Sequence, residues 1–258
     1  MKFIQKNPSA INKWLYLYKD KNTTYDVDVK NERVKNNKNN YDKTLDDLLK
    51  EQGYICAYCM RKISDENTKI EHFIGQEYID ESGNEIGKKE DTNYQNMLAV
   101  CCGNYCQKKL KAKERLHCDS SRSIFQTKYK ESENKNKILS TYRPKLYISP
   151  LNSQQMKQIG FTRSGVIFYK ELKYDDTLEL QVDKDIRYDL NIVLNLNCGN
   201  LKEARNRIIE SIDSSLRRHN YSKSFAQKEL AHWKNTQNNN KEYCEVAICK
   251  LENFLKDK

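Results

Sequence analysis

CAYC at 56–59, KIEHF at 69–73, NYQNMLAVC at 93–101 and HCDSSRS at 117–123 decide how this chain is read. Cys56 and Cys59 form a CxxC pair just after Gly53, a spacing that lets two thiolates grip one tetrahedral metal ion at about 2.3 Å each. Zinc needs two more ligands, and Cys101, Cys102, Cys106 and Cys118 stand downstream. A CxxC pair also serves thiol redox chemistry, but that use goes with a βαβ setting, and the flanks here are a charged helix and polar loops. A closed four-thiolate site leaves no open coordination position, so its role is structural. In a segment this poor in aliphatic residues, the metal supplies much of the local folding energy.

Between the cysteines lies Glu71-His72. The segment Lys69–Phe73 has strand-like composition, and strand alternation puts Glu71 and His72 on opposite sides unless the strand bends or bulges. Hydrolysis of a phosphodiester needs a base for water and a cation for the developing charge. His72 suits the first role and the Glu71 carboxylate suits a hard cation such as Mg²⁺ or Mn²⁺. A Glu-His pair alone is an ordinary half-buried histidine beside a surface acid; the bracketing cysteines and the residues downstream single this one out. Asn96 enters the apolar run Met97–Val100, where its amide can hold an imidazole in one tautomer. Asp119 follows Cys118 directly, so a metal at Cys118 fixes its position and it can serve as a second carboxylate on the catalytic cation. Arg122 can hold a phosphate, and His117 is a second candidate base or phosphate contact. The stretch QKKLKAKERLH at 107–117 is rich in Lys and Arg, and Lys108 and Lys109 are its candidate nucleic-acid contacts.

The whole chain is consistent with such a partner. At 258 residues it can hold one large domain or two modest ones. Its net charge of +10 and pI near 9.0 favour an anionic partner, most simply nucleic acid, although a Lys/Asn-rich composition alone gives the same sign. Nine cysteines in a chain without the apolar stretch and cleavage site of a signal peptide point to metal chemistry in a reducing cytoplasm, not to a disulfide framework. No run approaches the ~18–20 apolar residues of a membrane span. The expected localisation is cytoplasmic, with no membrane partner.

Three divisions are expected. Residues 1–40 form an N-terminal segment with an apolar cluster at Trp14–Leu17 and a Lys/Asn-rich loop from Lys30 to Asn40. Residues 41–125 form the metal-bearing core, entered by a helix whose stripe is Leu45, Leu48 and Leu49, with Thr44 as N-cap, Asp47 at N3 and Gly53 as its stop. Residues 126–258 form an α+β, mainly helical region that offers a surface for a partner. It opens with an exposed linker at 126–140. A hairpin follows over Phe161–Tyr169, turning at Ser164-Gly165, then a strand at Leu178–Val182. A long helix runs from Gly199 or Asn200 through Leu216, and two more lie near 223–234 and 241–256. His219 and His232 are read as surface residues.

The string CAYC…EH…N…C…CDSSR resembles the HNH endonuclease family, and most closely the PtuB-type HNH component of Septu and related retron antiphage defence systems. The likeness is good over about residues 40–125 and looser over 145–215, where Val193-Leu-Asn-Leu-Asn197…Leu201…Arg205 also fits. It implies an α+β fold with a ββα-metal core and a Cys₄ zinc site at Cys56, Cys59, Cys101 and Cys118, the second cysteine pair being split by an insertion. It implies His72 as general base, Asn96 as the residue orienting it, and Glu71 and Asp119 as ligands of catalytic Mg²⁺ or Mn²⁺. Arg122 takes the place of the family's basic residue. It also implies an ABC-type, PtuA-like ATPase partner and DNA cleavage in antiviral defence. The chain departs from the family pattern at Ile74-Gly75, where proline is usual, at Cys102, where an acid commonly stands, and at Ser123, where the final glycine falls. Two other readings share these residues: a nuclease acting on RNA such as tRNA, and a zinc-dependent nucleic-acid or protein binding module without catalysis, in which Glu71, His72 and Asp119 do not converge.

Overall fold

A computed structural model describes residues 1–7, 24–30, 40–80, 82–104, 111–130, 145–171, 186–235 and 239–257. The Trp14–Leu17 cluster, the Lys/Asn run beyond Lys30, Cys106, Lys108, Lys109, the 131–140 stretch and the Leu178–Val182 strand lie outside them. The described chain is a mixed α/β fold with two two-stranded antiparallel sheets. None of its helices is long and apolar enough to cross a membrane.

Helix α1 spans Asn40–Gln52. Leu45, Leu48 and Leu49 are buried as a single stripe, as their spacing requires. The helix starts a turn before the expected cap: Thr44 is internal and buried, and burial of Tyr41 extends the apolar face backwards. The stop is as expected. Gly53 sits at φ 63°, with hydrogen bonds from Gly53 N to Lys50 O (3.1 Å) and from Tyr54 N to Leu49 O (2.8 Å), a Schellman closure. A side chain there would also strike Asn240, whose backbone N–H donates to the Gly53 carbonyl.

The chain then folds into a knuckle. Cys56 N donates to Arg61 O at 2.8 Å and Met60 N to Cys56 O at 3.0 Å, with Met60 in the left-handed region. Strand β1 (Thr68–His72) pairs antiparallel with β2 (Met97–Cys101), placing Thr68 opposite Cys101 and His72 opposite Met97. Ala57 N donates to Ala99 O at 3.1 Å, which ties the knuckle to β2. Helix α2 (Cys118–Lys130) packs on β2. It includes residues 126–130, which the sequence placed in an exposed linker, so the expected 125/126 division falls inside a helix.

The C-terminal half contributes the hairpin β3 (Ile159–Phe161) and β4 (Ile167–Tyr169), then helices α3 (Gly199–Arg218), α4 (Lys223–Lys234) and α5 (Cys244–Lys256). All of these were legible in the sequence. The turn at Gly165 (φ 79°) is clamped from α3 by buried Arg205, which donates to Gly165 O at 2.6 Å and Leu196 O at 2.7 Å. Asn197 bonds both backbone groups of Ile167. A single apolar core runs from Leu48, Ile55 and Val100 through Ile148 and Leu190 to Leu201 and Tyr243. A second cluster of Ile212, Leu216, Ala226, Ala247 and Leu251 joins the last three helices.

Candidate metal and carboxylate site

Four sulfurs meet at the junction of knuckle, β2 and α2. The Sγ atoms of Cys56, Cys59, Cys101 and Cys118 all lie within 4.8 Å of one another, and all four residues are buried. Cys56 and Cys118 are 3.9 Å apart, and Cys59 and Cys101 3.7 Å. A tetrahedral ion with ~2.3 Å bonds to sulfur requires neighbouring sulfurs about 3.8 Å apart, whereas a disulfide requires ~2.05 Å. The donor set therefore fits a metal ion such as zinc. Burial pushes the Cys56 thiol up, but hydrogen bonds from Cys101, Cys118 and Cys59 outweigh it and hold Cys56 well below the usual range; Cys118 is driven up by burial and by those same neighbours.

Each ligand has a local reason for its place. Cys101 ends β2 and its N–H points at Cys56 Sγ (3.4 Å). Cys118 opens α2 at φ 51°, its N–H held by Leu194 O at 2.9 Å. Cys102, the sequence-level competitor, turns away, with its sulfur on the Asn67 carbonyl at 3.4 Å. His117 belongs to the sulfur cluster and not to a substrate surface: it is buried, with Nδ1 3.2 Å from Cys118 Sγ. Burial pushes its pKa down to about 4, so it faces the sulfurs as a neutral ring. The expectation that it serves as a second base or phosphate contact is corrected by that enclosure.

One residue beyond Cys118, the second centre begins. Strand alternation puts Lys69 and Glu71 on the face of β1 that meets α2. Asp119 receives Lys69 Nζ at 2.7 Å and lies close enough to the Glu71 carboxylate to push its pKa up. Arg122, one turn along α2, donates to Glu71 Oε1 at 2.5 Å, His72 O at 3.0 Å, Phe73 O at 2.8 Å and Tyr58 OH at 3.3 Å. Burial pushes the Glu71 pKa up to about 7; the Arg122 guanidinium opposes this and the Asp119 charge adds to it. Two oxygen-bearing acids thus converge from β1 and α2. Arg122 itself is 0% exposed, which corrects its expected phosphate contact: its two terminal nitrogens are turned onto the Glu71 carboxylate, the Tyr58 hydroxyl and the His72 and Phe73 carbonyls at the end of β1.

His72 sits elsewhere in the pleat. Its Nε2 is 2.7 Å from the Asp91 carbonyl, and the edge of the Tyr25 ring closes over it at a centroid distance of 4.5 Å. The ring is 6% exposed, and burial lowers its pKa. The Asn96 side chain makes its hydrogen bonds elsewhere. Its amide bonds Ile74 N (2.7 Å), Ile74 O (2.9 Å) and Glu90 O (3.1 Å), and so pins the β1–β2 connection. The residue that holds His72 is Asp91, whose carboxylate accepts from Tyr25 N at 2.8 Å and Gln76 Nε2 at 2.5 Å. Asp91 was missed because nothing in the charged run around it distinguishes one acid from another. Tyr58, the middle of CAYC, was missed as an Arg122 partner for the same lack of local signal. Among known proteins, no family model and no curated protein matches this chain at a significant level.

Proposed function

We propose that the chain is an HNH-type, divalent-metal-dependent endonuclease that cleaves DNA in concert with an ATPase partner in antiphage defence. Zinc fills the four-cysteine cluster as a structural ion. The observation that carries the reading is the approach of Glu71 and Asp119 from β1 and the helix beside it, next to a closed four-sulfur cluster, with His72 held apart from them against Asp91 and Tyr25. Glu71 and Asp119 would hold a Mg²⁺ or Mn²⁺ ion, which would supply charge stabilisation for the leaving oxyanion. Their crowding, which raises Glu71, fits a cation in that position. His72 takes the proton from the attacking water, and Asp91 holds its ring. The ring becomes accessible when the Tyr25 edge moves aside. The C-terminal helices offer the partner surface, and the basic 107–117 stretch the phosphate contacts.

The test is plasmid cleavage with Mg²⁺ or Mn²⁺, with and without the ATPase. Wild type is expected to nick DNA, and His72→Ala to lose about 10²–10⁴-fold in rate. Intact plasmid in every wild-type reaction, or undiminished cleavage by His72→Ala, sinks this reading.

Lys69 gives a second check that does not depend on turnover. Its ammonium pairs with Asp119 at 2.7 Å, so a divalent ion taken by that carboxylate would displace it. Lys69→Gln is expected to bind Mn²⁺ several-fold more tightly by calorimetry, and Asp119→Asn to lose that binding. Equal affinities in wild type and both variants place any bound Mn²⁺ away from these acids.

A further inference from the structure

The sulfur and carboxylate centres leave one large feature unused. An open cleft of about 500 Å³ lies between the β3–β4 hairpin and helices α3 and α5, and none of its lining residues belongs to either centre. Its volume falls within the ~300–1,000 Å³ typical of small-molecule sites. Phe161, Ile209, Val246 and Phe254 give it an apolar floor. Asp213 and Lys250 also line it but neutralise each other across α3 and α5 at 2.7 Å.

Two arginines and a tyrosine set its chemistry. Arg163 stands in the turn of the hairpin and Arg217 in the last turn of α3, and both line the cleft. Neither guanidinium has a hydrogen bond or ion pair among the described residues. With the Asp213–Lys250 pair cancelled, Asp257 is the one remaining carboxylate among the described lining residues against these two positive charges, so the described lining is left cationic. Tyr221 follows Asn220, and both are left-handed, at φ 53° and 50°. A bulky residue in that region is a backbone outlier. The ring it carries is 43% exposed and lies beside Phe254 at 6.3 Å, tilted 33°. Tyr221 N closes the end of α3 on Leu216 O at 2.8 Å, so the same left-handed turn that stops the helix presents the ring at the edge of the cleft.

We propose that this cleft binds a free nucleoside phosphate, with the base against Tyr221 and Phe254 and the phosphate between Arg163 and Arg217. A flat ring satisfies the aromatic side, and guanidinium forks match phosphate oxygens in pairs. The site is independent of the proposed nuclease chemistry.

Calorimetric titration of the full-length protein with AMP, ATP, adenosine, inorganic phosphate and a short single-stranded oligonucleotide tests it. AMP or ATP is expected to bind in the micromolar range, and adenosine and phosphate at least tenfold more weakly. The exposed-site variants Arg163→Gln/Arg217→Gln and Tyr221→Gly are each expected to weaken nucleotide binding tenfold or more. Tyr221→Gly, which relaxes the backbone, should leave the thermal midpoint unchanged or raised. The proposal is overturned by no mononucleotide binding at millimolar concentration, or by affinity that survives both variants. Binding of phosphate as tight as AMP removes the nucleotide class, and binding of the oligonucleotide alone makes the cleft a strand surface instead.

Discussion

Stripping the protein of metal with a strong chelator is expected to abolish its cooperative thermal transition, and one equivalent of Zn²⁺ is expected to restore it. The four sulfurs join the knuckle after α1, the end of β2 and the start of α2, and Cys56 and Cys118 are 62 residues apart. The free energy of filling a structural zinc site is about 10–16 kcal/mol in zinc-finger peptides near pH 7. A whole domain is stable by only ~5–15 kcal/mol. Loss of the ion therefore removes as much as the fold has, and leaves four buried thiols with no charge partner. Cys118→Ser should behave like the chelated protein, whereas Cys102→Ser should melt like wild type, since its sulfur stands outside the cluster on the Asn67 carbonyl. Circular dichroism melts alongside metal analysis decide it: a sharp transition at an unchanged temperature in verified metal-free protein means the cluster stands on thiol packing alone.

Arg122→Met is expected to cost about 3–5 kcal/mol, the usual penalty for breaking a buried ion pair from one side. For a chain of this size that corresponds to roughly a 6–20 °C fall in Tm. The guanidinium has four partners, and the substitution leaves Glu71 buried beside Asp119 with its nearest counter-charge gone. Glu71→Gln on the same background removes the stranded charge, so the double variant should be more stable than the sum of the two singles predicts. Additive losses would mean that Arg122 acts through its backbone contacts and not through Glu71.

These expectations rest on parts of the chain that were not equally readable. The cysteine cluster was legible because CxxC spacing constrains two ligands to one ion, and a family likeness nominated Cys101 and Cys118 over Cys102. The C-terminal helices were legible because Leu201, Ile209, Ile212 and Leu216 repeat with helical period. Whether an inward-facing arginine reaches substrate or protein is set by what lies across the fold. Arg122 reads as a surface cation in SSRS, and only the packing of α2 against β1 shows its donors occupied. Asn96 likewise precedes β2 as expected but serves the 74–90 loop, and the Asp91 carbonyl that meets His72 carries no side-chain signature at all. The early start of α1 came from burial of Tyr41, a tertiary effect that a capping signal does not contain.

The chain between Cys101 and Cys118 leaves and returns through one narrow neck. Its two strands are pinched together at the base: Asn104 bridges Leu116, and His117 N donates to Gly103 O at 2.9 Å. Gly103 is held there at φ 61°, where a Cβ would strike the His117 carbonyl. Such a neck uncouples chain length from ligand geometry, so residues added beyond it carry only a slowly growing entropic cost. Evolution and engineering alike have a graft point there. A reporter or affinity handle inserted inside the neck hangs from the metal site without pulling on it, while a single residue added between Cys118 and Asp119 would separate the two centres.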